Sequence, residues 1–397
     1  MKTGAGRKIA VIGGCGHVGL PLAVTLADKG CDVTMVDINH EAVAAINAGQ
    51  IGFIERGADK LLQQCIGKNL RATVEKESIL GAEIIVCVVG TPIDEHLNPE
   101  VGKLLRVVEE LTPYMDARQL FVLRSTVYPG ATTFLARWFE HKVPGIDVAF
   151  CPERVSQGFA VEEIASLPQI ISGTTPRALA RARELFELVA PSVVELGTAE
   201  AELGKLFCNA WRYITFAVAN QFYGLCADNG IDYARVREAI SKDYPRMRGL
   251  PGAGLAAGPC LFKDTMQLAA FYQNNFSLGQ AAMLINEGFP RALLAQLRSL
   301  DLKSKTVGIL GMAFKADNDD TRESLAFKLK KLLELECKQV LCTDPFVKGD
   351  WLVPLEVVLT RADALVIGAP HSDYRNLAPR QPTLDPWNFL GLGGVLR

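Results

Sequence analysis

Short, wholly apolar runs recur along the chain, each followed by a longer stretch in which apolar positions return every three or four residues. A run that is apolar at every position predicts a strand buried on both faces, as in a parallel sheet covered by helices. The first half carries such runs at Lys8–Ile12, Asp32–Val36, Glu83–Val89, Leu120–Leu123 and Asp147–Phe150, with a helix expected over Val18–Lys29. From Ala199 to about Asn229 the pattern becomes one long helix with few breakers. At Lys305 the first pattern restarts, with strands expected at Thr306–Leu310, Gln339–Cys342 and Ala364–Ile367 and an amphipathic helix ending near Leu335. Two sheets joined by a long helix leave a cleft, a usual place for a ligand.

Composition narrows this picture. A chain of 397 residues is too long for one core, and 49% hydrophobic with 22% charged residues is globular. The formal net charge of −2 gives no electrostatic reason to expect nucleic acid or an anionic membrane as partner. No apolar run approaches the roughly 20 residues of a membrane helix, and Met1–Lys8 runs directly into a strand; a cytoplasmic protein is expected. Ten cysteines without a CxxC pair suit a reducing compartment, and five histidines in no HExxH-like cluster predict no metal.

The first strand runs into Gly14-Cys15-Gly16-His17-Val18-Gly19, a GxGxxG between strand and helix. In that context the glycines make a tight turn, admit a pyrophosphate and allow close helix packing, with helix N–H groups facing the phosphate. Asp37 ends the next strand, 18 positions past the last glycine, where an acid holds a ribose 2′-hydroxyl and repels a 2′-phosphate. NAD is therefore expected over NADP. The expected class is α/β: two Rossmann-like parallel-sheet domains, 1–198 and 303–397, joined by a long central helix and a small helical domain, 199–302.

Further candidates lie past strand ends, the ligand edge of open α/β sheets. Gly90-Thr91-Pro92 and Arg124-Ser125-Thr126 bring hydroxyls there, which either face the cofactor or simply cap helices. Cys151-Pro152-Glu153-Arg154 adds Glu153 as a candidate base. On the long helix Lys205, Asn209 and Arg212 fall at i, i+4 and i+7, so the three project from one face. Pro251–Asp264 crowds glycines and alanines around Cys260, with Lys263 and Asp264 supplying charge, which is what tunes a thiol. Most intracellular cysteines are inert core residues, and only this company argues otherwise.

Taken in order, these motifs resemble the UDP-glucose/GDP-mannose dehydrogenase family. GxGxxGLPLA at Gly14–Ala23, GTP at Gly90, STVxPG at Ser125–Gly130, PER at Pro152, AExxKxxxNxxR at Ala201–Arg212, CLxKD at Cys260–Asp264 and AFKxxxxDxRES at Ala313–Ser324 cover nearly the whole chain. The resemblance implies NAD-dependent, four-electron oxidation of a nucleotide-sugar C6 alcohol to the uronic acid, as used in polysaccharide biosynthesis. It implies an N-terminal domain for NAD, a homodimer through the central helix and a C-terminal domain for the nucleotide diphosphate. Cys260 would be the nucleophile that forms a thiohemiacetal and a thioester. Lys205 and Asn209 would stabilise oxyanions. Asp264, Glu153 and Thr126 would move protons and orient water. Cofactor contacts are implied for Gly14, Gly16, His17, Val18, Gly19, Asp37, Thr91, Thr126 and Arg322. Substrate contacts are implied for Glu153, Arg154, Lys205, Asn209, Arg212, Arg246, Gly258 and Lys315.

The chain departs from the pattern in places. Gln157 stands where the glucose branch has a second glutamate, and Arg154-Val155 with Asn209-Ala210-Trp211-Arg212 resembles the branch acting on UDP-N-acetylhexosamines. Cys260-Leu261-Phe262-Lys263-Asp264 is closer to the glucose and mannose branches. The thiol stretch is one residue longer than usual, with Ala256-Ala257 replacing glycine or aromatic positions, and Ala42 stands where many relatives carry a lysine. Two other classes stay open: a two-electron dehydrogenase of the hydroxy-acid type, which needs no thiol, and a non-catalytic NAD-binding protein.

Overall fold

The computed structural model describes residues 4–91, 93–94, 96, 100–256 and 258–396, so Pro92 and Ala257 of the motifs above lie outside the described residues. The chain folds as two compact units, Met1–Cys208 and Asn209–Arg397.

In the first unit β1 (Lys8–Ile12), β2 (Asp32–Val36), β3 (Leu70–Thr73), β4 (Ile84–Cys87), β5 (Leu120–Leu123), β6 (Asp147–Phe150), β7 (Gln169–Gly173) and β8 (Val193–Glu195) form one sheet. Its strand order is β3-β2-β1-β4-β5-β6-β7-β8. Helices α1 (Gly19–Asp28), α2 (His40–Asn47), α3 (Ala58–Cys65), α4 (Val101–Leu111), α5 (Ala131–Lys142), α6 (Ala160–Ser166) and α7 (Pro176–Phe186) connect the strands. The apolar runs are explained by two cores, one on each face. Ile9, Val11, Ile84, Val86, Leu120 and Val122 enter one cluster, while Ala10, Ile12, Ile85, Cys87, Phe121 and Leu123 enter the other. Alternation along each strand thus sends neighbouring side chains to opposite cores.

Pairing is parallel from β3 through β6, but β7 runs antiparallel to β6, with Ala149 opposite Gly173 and Phe150 opposite Ser172. Direction is invisible in a run of buried residues, because both orientations bury the same side chains. The connection from β6 to β7 runs through the short helix α6, seven residues long. The segment before α6 is tied to Glu55, whose carboxylate accepts from Gly158 N–H at 2.8 Å and Ala160 N–H at 2.7 Å.

The long helix α8 (Thr198–Asp228) starts in this unit. Glu202, on its first turns and 1% exposed, accepts from Gly130 N–H at 2.7 Å, Thr132 N–H at 2.8 Å and the Thr132 hydroxyl at 2.6 Å. Those donors are the orphan groups at the start of α5, so one buried carboxylate satisfies a helix end and meets its positive pole. Further along α8 the side chains of Phe207, Trp211, Val218, Phe222 and Leu225 are exposed. At about 100° per residue they fall on one side of the helix.

The second unit continues with α9 (Tyr233–Ser241), α10 (Leu261–Phe271) and α11 (Ser277–Leu297). A parallel sheet follows, built from β9 (Thr306–Leu310), β10 (Gln339–Thr343), β11 (Ala364–Ile367) and β12 (Thr383–Leu384) in the order β10-β9-β11-β12, with α12 (Leu325–Glu334) and α13 (Leu355–Arg361). It too has a core on each face, with Val307, Ile309 and Val366 in one and Leu310, Leu365 and Ile367 in the other.

Replacing Glu202 by alanine strands the Gly130 and Thr132 donors in the interior. A loss of about 2 kcal/mol is expected, read as a lower urea midpoint. An unchanged midpoint would show that this cap carries no stability.

Candidate active site

The glycine loop after β1 has the three environments that a dinucleotide demands. A Cβ on Gly14 would lie 2.7 Å from Met35 Cβ and from the Val11 carbonyl, and one on Gly19 would lie 2.5 Å from the Gly13 carbonyl. Neither position admits a side chain. At Gly16 the nearest atom is 3.8 Å away, so space is open at the middle glycine, where a phosphate must approach the backbone. Val18, the N-cap of α1, offers no side-chain cap, and no acid sits in the first turn. The helix start is left to an anion. Asp37, half-buried at the end of β2, accepts from Cys15 N–H at 3.0 Å on one oxygen and from Asn39 N–H at 3.1 Å on the other. Each oxygen keeps capacity for a ribose hydroxyl.

Neighbouring strand ends are coupled to this loop. The Thr91 hydroxyl donates to the Thr126 carbonyl, joining the segments after β4 and β5. His17 lies 3.0 Å from Gln157 Nε2 through Nδ1 and packs tilted against Phe53 at 4.0 Å between centroids, so Gln157 touches the glycine loop. Glu153 is buried, and its carboxylate is taken by Arg124, by Arg154 N–H at 2.7 Å and by Val155 N–H at 2.9 Å. A proton-transfer role for Glu153 would require that ion pair to open. Arg124 itself, 1% exposed, also donates to the Cys151 carbonyl and to Gln169. Arg154 donates to the Pro168 carbonyl. Arg124 was present in a tripeptide singled out for its hydroxyls, and nothing in its spacing announced a buried partner.

On α8 Lys205 and Asn209 are both 8% exposed, whereas Arg212, one turn on, is exposed. In the second unit Asn209 Nδ2 donates to Asp264 Oδ2 at 2.5 Å, and Lys263 Nζ lies 3.1 Å from the other oxygen. Asp264 is fully buried in the first turn of α10. Cys260 is the N-cap of that helix and is exposed, with its carbonyl accepting from Asp264 N–H at 2.9 Å. Gly258 has φ +104, donates to the Glu323 carbonyl at 3.4 Å, and would clash with the Phe314 ring at 2.6 Å if it had a Cβ. The thiol stretch is therefore laid against the segment carrying Lys315 and Arg322. Arg322 forks onto Asp320, with Nε 3.0 Å from both oxygens. That bond is the main reason its pKa is raised, outweighing burial, and the nearby Cys260 adds to the effect. Arg246 is exposed and lies 3.3 Å from the Tyr244 hydroxyl.

The other thiols differ in kind. Burial pushes Cys15, Cys87, Cys151 and Cys342 up to about 12 and Cys31 and Cys337 to about 11. Of the ten cysteines only Cys260 is exposed. No group of three or more metal-binding side chains is gathered among the described residues, and no helix there is long and apolar enough to cross a membrane.

Sequence reasoning also passed over the pair Asp344 and His371, whose side chains are fully buried at the carboxyl edge of the second sheet, with Nε2 and Oδ2 3.0 Å apart. Burial alone would raise the Asp344 pKa; the His371 hydrogen bond and the N–H groups of Met312 and Phe346 outweigh it and bring the value down from 3.8 to about 2.

Three domains of the UDP-glucose/GDP-mannose dehydrogenase family match the chain: the NAD binding domain at residues 7–190, the central domain at 199–288 and the UDP binding domain at 308–390. UDP-N-acetyl-D-mannosamine dehydrogenase of Pyrococcus horikoshii is 32% identical, with 93% of this chain and 91% of that protein covered. NDP-N-acetyl-D-galactosaminuronic acid dehydrogenase of Ralstonia nicotianae is 30% identical, over 94% of this chain and 92% of that protein. A solved structure of UDP-D-ManNAc dehydrogenase from Pyrococcus horikoshii superposes with a TM-score of 0.89 at 30% identity, covering 96% of this chain and 95% of that one.

Two outcomes follow from the two acids. Asp37→Ala should lose most of the discrimination between NAD and NADP, measured as the ratio of kcat/KM values; an unchanged ratio would remove Asp37 from the ribose. The folded pKa of Asp344 lies below its ordinary value, so its stabilisation is complete above that value and is lost as pH falls through about 2. It amounts to about 2 kcal/mol. Asp344→Asn should lower the urea midpoint at neutral pH and flatten the acid limb below pH 3.8, whereas an equally steep limb would contradict the assignment.

Proposed function

The chain belongs to the UDP-glucose/GDP-mannose dehydrogenase family and is an NAD-dependent nucleotide-sugar dehydrogenase, and from that premise we propose four-electron oxidation of a sugar C6 alcohol to the uronate. The preferred substrate in this reading is a UDP-N-acetylhexosamine, supported by the named activities of the Pyrococcus and Ralstonia relatives. UDP-glucose or GDP-mannose is the second reading, favoured by Cys260-Leu261-Phe262-Lys263-Asp264.

The observation that carries the proposal is an exposed Cys260 at the start of α10, one helical turn before a buried Asp264 that holds Asn209. Gly14, Gly16, Gly19 and the N–H groups after His17 and Val18 hold the NAD pyrophosphate, and Asp37 takes the ribose, with Thr91 and Thr126 at the adjoining strand ends. When bound, NAD supplies the hydride acceptor for both oxidations. The first oxidation leaves an aldehyde at C6. Cys260 Sγ adds to that carbon, and the new alkoxide takes donors from Lys205 and Asn209. Loss of the remaining C6 hydrogen with its electron pair gives a thioester. Water then attacks, the C–S bond breaks and the thiolate returns. One alcohol, two NAD+ and one water thus give one carboxylate, two NADH and three protons.

Asp264 orients Asn209 and is the candidate for proton movement, with Thr126 fixing the water. Glu153, committed to Arg124, shapes the strand-end loop together with Arg154. Lys315, Arg246, Arg212 and Gly258 serve the sugar nucleotide, and Arg322 the cofactor pyrophosphate. The division of labour follows the segments 1–198, 199–302 and 303–397. The exposed apolar side of α8 supports a homodimer through that helix, since a stripe of this kind is costly to leave in water. A cytoplasmic place, in polysaccharide biosynthesis, suits a uronate-forming enzyme that consumes NAD.

Wild-type protein, screened with UDP-GlcNAc, UDP-GalNAc, UDP-ManNAc, UDP-glucose and GDP-mannose, should release two NADH per sugar oxidised, fastest with an N-acetylhexosamine. Cys260→Ser should stop after one NADH or stall as a slowly hydrolysed ester, because an alcohol is a poorer nucleophile and leaving group than a thiolate. Full uronate yield from that variant would refute the covalent route, and a wild type that halts at one NADH would indicate a two-electron enzyme.

A further inference from the structure

Both sheets place an acid at the end of the strand paired in parallel with the unit's first strand: Asp37 after β2, which pairs with β1, and Asp344 after β10, which pairs with β9. Both acids accept from the loop that follows that first strand. Asp37 takes Cys15 N–H, and Asp344 takes Met312 N–H at 2.6 Å and Ala313 N–H at 3.0 Å. There the likeness ends. Asp344 accepts in addition from Phe346 N–H at 2.9 Å, Val347 N–H at 3.0 Å and His371 Nε2 at 3.0 Å, and its side chain is sealed from solvent. Its lone pairs are consumed, and no ribose hydroxyl can reach it.

His371 carries the arrangement across the loop. Its Nδ1 accepts from Asp317 N–H at 2.9 Å, which leaves Nε2 as the protonated nitrogen facing Asp344. Ser372 N–H donates back to Asp317 Oδ1 at 2.7 Å. The loop Ala313–Asp317 is thus held at its first residue by Asp344 and at its last by His371, with Lys315 at its centre. Asp317 has φ +51, a conformation that a non-glycine residue keeps only when its surroundings enforce it. Between the anchors, Phe314 N–H donates to the Asp320 carbonyl at 2.9 Å and the Phe314 ring lies against Gly258 of the thiol stretch.

We propose that Asp344 and His371 are positioning residues that hold the Ala313–Asp317 loop in the shape that receives the substrate's nucleotide diphosphate, the second sheet's acid serving the loop where the first sheet's acid serves a ribose. This rests on the reading above that the C-terminal domain takes the nucleotide diphosphate and that Lys315 serves the sugar nucleotide. A loop fixed before the ligand arrives spares the ordering cost at binding, so the effect falls on affinity for the nucleotide and not on the chemistry at C6.

The test uses the full chain with UDP as calorimetric probe, NAD titration, and kcat and KM for the sugar nucleotide. His371→Gln reaches Asp344 with an amide donor but removes the acceptor for Asp317 N–H; His371→Asn puts a side-chain oxygen where Nδ1 stood. His371→Gln should raise the UDP Kd and the substrate KM about tenfold, as one lost hydrogen bond implies, with kcat and NAD affinity unchanged within about twofold. His371→Asn should restore most of the UDP affinity. Wild-type UDP affinity in both variants overturns the positioning role alone. Equal losses in both, accompanied by weaker NAD binding and a lower Tm, also overturn it, because that is what a purely structural pair would do. A wild type that binds NAD but not UDP defeats the underlying reading of the domain, and this proposal with it.

Discussion

The buried hydrogen bond between Asn209 and Asp264 is the contact on which the chemistry proposed for the second unit depends. It joins α8 to the first turn of α10, so the helix that carries the amide donor and the helix that presents the thiol share one register. A carboxylate without solvent is costly unless it is compensated, and here Asn209 donates to one oxygen while the Lys263 ammonium lies 3.1 Å from the other. Because Cys260 is the N-cap four residues before Asp264, any shift of the acid moves the sulfur's helix with it.

The same economy of buried carboxylates recurs through the molecule with different partners. Glu202 meets the start of α5, Glu153 meets Arg124, Glu55 meets the start of α6, and Asp344 meets a ring of N–H groups and His371. In each case an anion is stabilised by dipoles or a cationic or imidazole donor already held by the fold. Glycine does the complementary work. At Gly14, Gly19 and Gly258 a single added carbon would collide with backbone or a ring, so these positions fix how closely loop, helix and thiol stretch pack.

Much of this was legible beforehand. Strands at Lys8–Ile12, Asp32–Val36, Leu120–Leu123, Asp147–Phe150, Thr306–Leu310 and Ala364–Ile367 are found at those residues, because a run buried on both faces has no polar position to blur its ends. The strands that went unnoticed include β3 and β8, at the sheet's edges, where residues such as Arg71 and Glu195 face solvent and break the apolar run. Among the proposed site residues, the glycine loop, Asp37 and the Lys205 and Asn209 pair were singled out through spacing, since the roles proposed for them depend on local geometry that spacing encodes.

The amino-acid order by itself therefore determined the two-sheet α/β class, the dinucleotide loop and the family, all of which rest on wholly apolar runs, on helical repeats and on motifs a few residues long. Only the tertiary structure decided that β7 turns antiparallel, that Cys260 alone among ten thiols is exposed, that Glu153 is spoken for by Arg124, and that Asp344 is closed off by His371. Those outcomes depend on pairs separated by tens of residues. Burial and hydrogen-bond partnership are properties of where the folded chain brings two groups, and no local pattern carries them.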